Sequence, residues 1–283
     1  MEFCEIDSSL AEPCAAFLRM HERSCASLVD SFRSRRRDVL QAAFVQNGSV
    51  RGVVSCSKGG VVLFCLPFTS EYPSYTPFLR RLFAHRELFC VNGEETGAVY
   101  FMRFFASERQ LSPEQINRYY LMERDKRLGP LAVPALPPMY TALRCADDDL
   151  PELLVLEEGF EKEDVLQSDQ GYDAAVARAK LVQQLRKKVL FAIRGRQDGF
   201  FRFVAKSAVN AQGYAVGQLG GVYTLPEYRR HGFGYAAVCT AVNNLTAAGL
   251  SCVLFVRETN TAAYSLYYKA GFVPVGRYII SYY

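Results

Sequence analysis

Between residues 214 and 245 the chain changes its period, and few folds accommodate the change in the way this sequence makes it. Tyr214 to Tyr223 is a run rich in Val, Tyr and Gly bounded by turn signals, which predicts a strand. Ala237, Val238, Ala241, Val242 and Leu245 then recur at helical spacing. The two are joined by Pro226-Glu227-Tyr228-Arg229-Arg230-His231-Gly232-Phe233-Gly234-Tyr235-Ala236, a basic glycine loop that opens the helix. The first N–H groups of a helix have no internal partner, and the aligned peptide dipoles place partial positive charge there. Gly232 and Gly234 carry no Cβ, so an anion can reach the bare backbone. Arg229, Arg230 and His231 add basic side chains at the rim. Together these residues make a pyrophosphate cradle.

Three readings fit the loop. Gly232 to Ala237 satisfies G-x-G-x-x-[GA], the dinucleotide fingerprint, but that motif needs its turn directly after a strand. Here Thr224 to His231, with Pro226 inside it, intervenes. Two glycines turning a corner would explain the backbone but not the clustered basic side chains. The third reading is Arg-x-x-Gly-x-Gly from Arg229 to Gly234, preceded by Thr224-Leu225-Pro226. This resembles motif A of the GNAT acetyltransferase superfamily, whose loop holds the pyrophosphate of coenzyme A. A second block, Asn260 to Phe272, follows a strand-like run from Ser251 to Val256. It resembles the GNAT segment in which an Asn begins the last helix and Leu-Tyr-x-Lys-x-Gly-Phe ends it. Asn260 suits an N-cap and Gly271 a helix stop. The resemblance spans roughly Met139 to Tyr283.

The 283 residues permit one large domain or two ordinary ones, and 50% hydrophobic with 22% charged residues is the composition of a soluble globular protein. A net charge of +4 gives no nucleic-acid signature. Arg35-Arg36-Arg37 is followed by Asp38 and reads as a solvated helix end. Nine cysteines show no CxxC spacing, and Cys56, Cys65, Cys90, Cys239 and Cys252 sit in apolar runs as small hydrophobes. A reduced, cytoplasmic setting fits them better than a disulfide framework. The acidic start is no signal peptide, and Gly59 to Phe68 is too short to span a bilayer, so no membrane partner is expected. With three histidines and no H-x-x-x-H spacing, no metal site is expected.

In the first half, Glu12 to Phe32 predicts a helix, and Gln41–Gln46, Val50–Cys56 and Val61–Leu66 predict an antiparallel meander with a hairpin turn at Asn47-Gly48. Helix, strand and helix are expected over Pro77–Arg86, Glu87–Val91 and Glu94–Phe105. Ser112 to Leu128 reads as a further helix, since Ser112-Pro113 is a good start. Four prolines between Gly129 and Pro138 mark a linker. Two domains are therefore expected, residues 1–130 and 139–283. In the second, a strand at Met139–Arg144 precedes helices at Leu150–Gly159 and Tyr172–Lys188. Strands at Val189–Arg194, Phe200–Lys206 and Tyr214–Tyr223 follow, and after the loop helix come a strand, the Asn260 helix and a final strand, Val273–Ile280. That order is the order of the GNAT fold, an α/β (α+β) architecture with a mixed, mostly antiparallel sheet flanked by helices. The first half repeats much of it but places Pro67 to Tyr72 where the cradle would be. It reads as a degenerate GNAT-like module or as an unrelated α/β domain.

The resemblance implies an N-acetyltransferase that uses acetyl-CoA on a primary amine, in a small molecule or a peptide, by direct attack on the thioester. The alternative is a coenzyme A-binding regulatory module without turnover. It implies pantetheine along Val222, Tyr223 and Thr224, with a backbone N–H facing the oxyanion. It implies pyrophosphate on Arg229, Arg230, His231, Gly232, Phe233, Gly234 and Tyr235, and a contact from Asn260. Tyr267 aligns with the tyrosine that protonates the leaving sulfur, although a packed core tyrosine is the plainer reading. For the base, Glu157 and Glu158 lie in the acceptor-side helix, and Glu158 is the candidate taken forward. A solvated helix face explains either one as well.

Overall fold

The computed structural model describes residues 2–34, 38–165, 171–197 and 199–283. The arginine cluster at 35–37 lies outside the described residues. β1 (Glu2–Glu5) and the long helix α1 (Ala11–Arg33) lead into the meander of β2 (Val39–Gln46), β3 (Ser49–Ser57) and β4 (Val61–Cys65). Asn47 and Gly48 both adopt left-handed backbone at the β2–β3 turn, φ 50° and 75°, as the Asn-Gly pair predicts. Next come α2 (Tyr72–Phe83), β5 (Cys90–Glu94) and α3 (Glu95–Arg109). The Glu94 carboxylate caps α3 by accepting from the N–H groups of Thr96 and Gly97. β6 (Gln115–Arg124) closes the first half.

The second half repeats this order with two helices in place of α1. It runs β7 (Tyr140–Arg144), α4 (Leu150–Phe160), a π-helical turn at Glu161–Val165, α5 (Ala174–Arg186), β8 (Leu190–Gln197), β9 (Phe200–Gln212) and β10 (Val216–Thr224). It ends with α6 (Phe233–Ala247), β11 (Ser251–Arg257), α7 (Thr261–Lys269) and β12 (Val273–Tyr282).

The helix expected over Ser112–Leu128 is instead the strand β6, and its position explains the misreading. One twelve-stranded sheet runs β1-β2-β3-β4-β5-β12-β6-β11-β10-β9-β8-β7. β6 lies between β11 and β12 and is antiparallel to both, so Leu121, Met122, Glu123 and Arg124 are all buried. A strand covered on both faces loses the alternation that would reveal it, while its Gln, Leu, Met, Glu and Arg favour helix in isolation. The last strands of the halves are also exchanged. β6 adds to β11 of the second half, and β12 adds to β5 of the first, with Tyr278 opposite Glu94 and Tyr282 opposite Cys90.

Helix α1 strengthens the join. The Glu22 carboxylate, itself buried, accepts from the N–H groups of Tyr214 and Ala215 at 2.7 and 2.8 Å, pinning the β9–β10 turn. Ser27 Oγ donates to Gln218 Oε1 at 2.9 Å. On the second half α6 and α7 cover one face, packing on Met122, Val209, Leu219, Leu254 and Val256. α4 and α5 cover the other, over Leu190, Ala192, Phe203 and Ala208. No described helix is long and apolar enough to cross a membrane.

Candidate active site

β10 and β11 are parallel, and their pairing begins together and then parts. Val216 to Leu219 pair with Ser251 to Leu254, and the ladder stops there. At the same point β10 slips against β9, with register shifts between Gln218 and Leu219 and between Gly220 and Tyr223. Gly221 sits at φ 58° within this bulge. The bulge reverses which face the side chains meet. Leu219 packs under α6 and α7, whereas Tyr223, four residues on, packs in the α4–α5 cluster. The parted strands open a cavity of about 390 Å³.

The cavity gathers distant parts of the sequence. Val222, Asn260 and Tyr267 line it, as do Gly220 and Gly221 of the bulge, Asp164 after α4 and Arg257 at the end of β11. Ser27, Asn92 and Tyr119 line it from the first half. Asn260 is the N-cap of α7, its Oδ1 accepting from Ala263 N at 3.0 Å. The Tyr267 ring is buried edge-on to Phe272. Burial pushes its phenol well above the ordinary tyrosine value, and Asp164 adds to the effect, so Tyr267 keeps its proton. Burial also raises Asp164, an effect that the charge of Arg257 partly offsets.

The cradle lies at the start of α6. Gly232 is its N-cap at φ 82°, and the first helical bond runs from Ala236 N to Gly232 O at 2.9 Å. The N–H groups of Phe233, Gly234 and Tyr235 thus point out of the helix start with no partner inside it. A Cβ on Gly234 would lie 2.8 Å from Thr224 Oγ1, so glycine is what lets the helix start approach the end of β10. Arg230 is left-handed at φ 66°, and Arg230, His231 and Gly232 are exposed. Bare N–H groups, exposed basic side chains and an unpaired strand edge beside them fit a long thioester that ends in a pyrophosphate.

The side chains of several expected residues have partners of their own within the protein. Phe233 is a core residue, 4.4 Å ring to ring from Tyr140. Arg229 Nη2 donates to Glu163 Oε2 at 2.6 Å and Arg229 Nε to Thr224 O at 3.0 Å, while the Tyr223 hydroxyl donates to Glu163 Oε1 at 2.7 Å. Arg229 is thus tied to the π-helical turn. Glu158 lies on the outer side of α4, half-exposed and paired with Lys162 at 2.6 Å, and does not line the cavity. The carboxylate brought to the cavity is Asp164, which the run Glu161, Glu163, Asp164 disguises as a solvated acidic face. Asn92, Tyr119 and Arg257 carried no motif, since they meet only through the exchanged strands. A larger groove of about 790 Å³, bordered by Ile6, Glu12, Phe32 and Gln41, lies between α1 and the β1–β2 edge, away from the cradle.

Comparison with known proteins agrees with this fold. The model of the FR47-like protein family matches residues 199–278, from β9 to β12. No curated protein sequence matches the chain. Among solved structures, the fold is similar to a GNAT-family acetyltransferase from Colwellia psychrerythraea, at TM-score 0.61 and 12% identity over 100% of both chains. It is similar to a Drosophila protein at TM-score 0.73 and 12% identity, over 99% of this chain and 98% of that one. A tandem GNAT protein from the clavulanic acid biosynthesis pathway matches at TM-score 0.63 and 14% identity, over 99% and 97%. The chain thus shares the fold of these structures, a tandem GNAT protein among them, over nearly its whole length, and the FR47-like family model matches within its second half.

Proposed function

We propose that the chain is an acetyl-CoA-dependent N-acetyltransferase acting on a primary amine. The observation that carries this reading is the parting of β10 from β11, which opens a cavity lined by Asn260, Leu266 and Tyr267, while the glycine start of α6 packs beside Thr224 and Leu266 at its edge. Acetyl-CoA would supply an activated acetyl thioester. The N–H groups of Phe233, Gly234 and Tyr235, with Arg230 and His231, would hold its pyrophosphate. The bulged edge at Gly220–Val222 would pair with the pantetheine arm and offer a backbone N–H to the thioester oxygen.

Two side chains would manage the protons. An acceptor amine is mostly protonated at neutral pH, its reference value being about 10.4 for a lysine-type amine. Asp164, raised by burial, is a stronger base than an exposed carboxylate and would take a proton from the ammonium directly or through a water. As the C–N bond forms and the C–S bond breaks, Tyr267 would give its proton to the departing sulfur. The half from residue 1 to 130 would complete the acceptor side through Ser27, Asn92 and Tyr119. A coenzyme A-binding regulatory module would use the same cradle without turnover. Thiol release from acetyl-CoA, followed across a panel of amines, amino acids and peptides, separates the two. Release that depends on an amine supports transfer, and binding without release to any amine refutes it.

A further inference from the structure

Arg257 ends β11 and pairs across the sheet with Tyr119 of β6, so both side chains stand on the α1 face, next to Phe255 and Tyr278. Its Nε and Nη2 are both shielded from solvent and have no hydrogen-bond partner among the described residues, although the guanidinium as a whole acts on the neighbouring Tyr119 phenol. These two atoms form one edge of the guanidinium, the edge whose parallel N–H groups match the two oxygens of a carboxylate. Leaving a charged group buried and unpaired is costly, so an open edge of this kind fits a site that a ligand completes. Arg257 lines the cavity, as does Asn92, whose Oδ1 is likewise buried and without a partner among the described residues. The other charged group of the cavity, Asp164, is near enough for its acidity to respond to Arg257. Among the described residues the cavity therefore presents one cation and one anion to whatever enters it. An amine without a second charge would satisfy Asp164 and leave the Arg257 edge empty.

We infer that the acceptor is a small amino acid, its carboxylate held on the Nε–Nη2 edge of Arg257 and its amino group turned toward Asp164 and the thioester. The inference rests on the transferase reading above for its chemistry, but not for the recognition of the carboxylate. The volume of about 390 Å³ is shared with the thioester, which leaves room for a compact acceptor. In the transfer the ammonium first gives one proton through Asp164 to solvent. The amino nitrogen then forms the new C–N bond and gives a second proton to Asp164. The C–S bond breaks, the sulfur leaves with the proton of Tyr267, and Tyr267 regains a proton from solvent. The carboxylate takes no part beyond positioning.

The test uses the full chain saturated with acetyl-CoA and matched pairs of acceptors, each a free amino acid and its carboxamide: glycine, alanine, glutamine and phenylalanine with glycinamide and the corresponding amides. At least one acid is expected to exceed its amide in kcat/KM by about 10²-fold or more. Arg257→Gln is expected to raise KM for that acid about 10²-fold with little change in kcat, and to erase the discrimination. Arg257→Lys keeps the charge without the fork, guards against a folding defect, and is expected to recover only part of the loss. Calorimetric binding of the same amino acids to the chain loaded with coenzyme A gives a second readout. Acid binding that Arg257→Gln abolishes, without transfer to any amine, would sink the transferase reading and leave only the amino-acid site on Arg257 standing. Equal use of acids and amides, unchanged KM in Arg257→Gln, or no acid bound or acetylated would overturn the inference.

Discussion

Lys206 Nζ lies 2.6 Å from Glu157 Oε2 and 2.9 Å from the carbonyl oxygen of Gly221, so one buried ammonium ties α4 to the bulge of β10. Both side chains are buried, and Lys180 donates to the other Glu157 oxygen at 2.5 Å. Neither lysine lines the cavity; Lys206 is a positioning residue for the strand edge that would meet the thioester.

Removing one partner of a buried pair strands the other. Lys206→Met is expected to destabilise the chain by about 3 to 5 kcal/mol in denaturant unfolding. The double variant Lys206→Met, Glu157→Gln should recover much of that loss, because no unpaired charge remains. An additive double variant would mean that the pair is not coupled.

Burial alone would raise Glu157, but Lys206 and Lys180 outweigh it and hold the carboxyl down at about 2. A carboxyl depressed on folding stabilises the native state fully above its unfolded value, about 4.3, and loses that contribution as pH falls toward 2. Unfolding free energy should therefore fall across that window, and less steeply in Glu157→Gln. Identical slopes would contradict the assignment.

Much of this core was readable from the sequence, and the reasons differ by residue. The strand before the cradle, the helix at Ala237–Leu245 and the Asn260 cap are local, set by period and by single capping residues. The Lys206–Glu157 pair is not, because its partners are 49 positions apart and a lysine in a strand reads as a solvated face. β6 failed for a related reason: its burial comes from β11, β12 and α1, none of which its own residues announce. Asp164 and Arg257 became candidates only when the fold gathered them with Tyr119 and Asn92 around one cavity.

Tyr267→Phe removes only the hydroxyl from a buried ring. Turnover should fall roughly 10²-fold while coenzyme A affinity stays nearly constant. Full turnover in this variant would assign the proton to water or to another group.

Asp164 should set the acid limb of the pH–rate profile. A base works when deprotonated, so kcat should rise with pH through a value above that of a free aspartate, about 3.9. Asp164→Asn is expected to lower kcat roughly 10²-fold or more and to remove that limb. A limb that persists unchanged would exclude Asp164 as the base.

Gly232 separates charge from strain. It sits at φ 82° with nothing within 4 Å of an added Cβ, so Gly232→Ala and Gly232→Asp share a backbone cost and differ in charge. The aspartate should weaken coenzyme A binding far more than the alanine, because it sets a carboxylate where a phosphate would rest. Equal weakening by the two would remove the cradle from the account.

The most direct measurement is a crystal structure of the chain with coenzyme A. The account predicts one molecule per chain, its pyrophosphate on the N–H groups of Phe233 to Tyr235, its pantetheine between β10 and β11, and its sulfur beside Tyr267. A molecule bound elsewhere, or a second one in the first half near Pro67 to Tyr75, would contradict it.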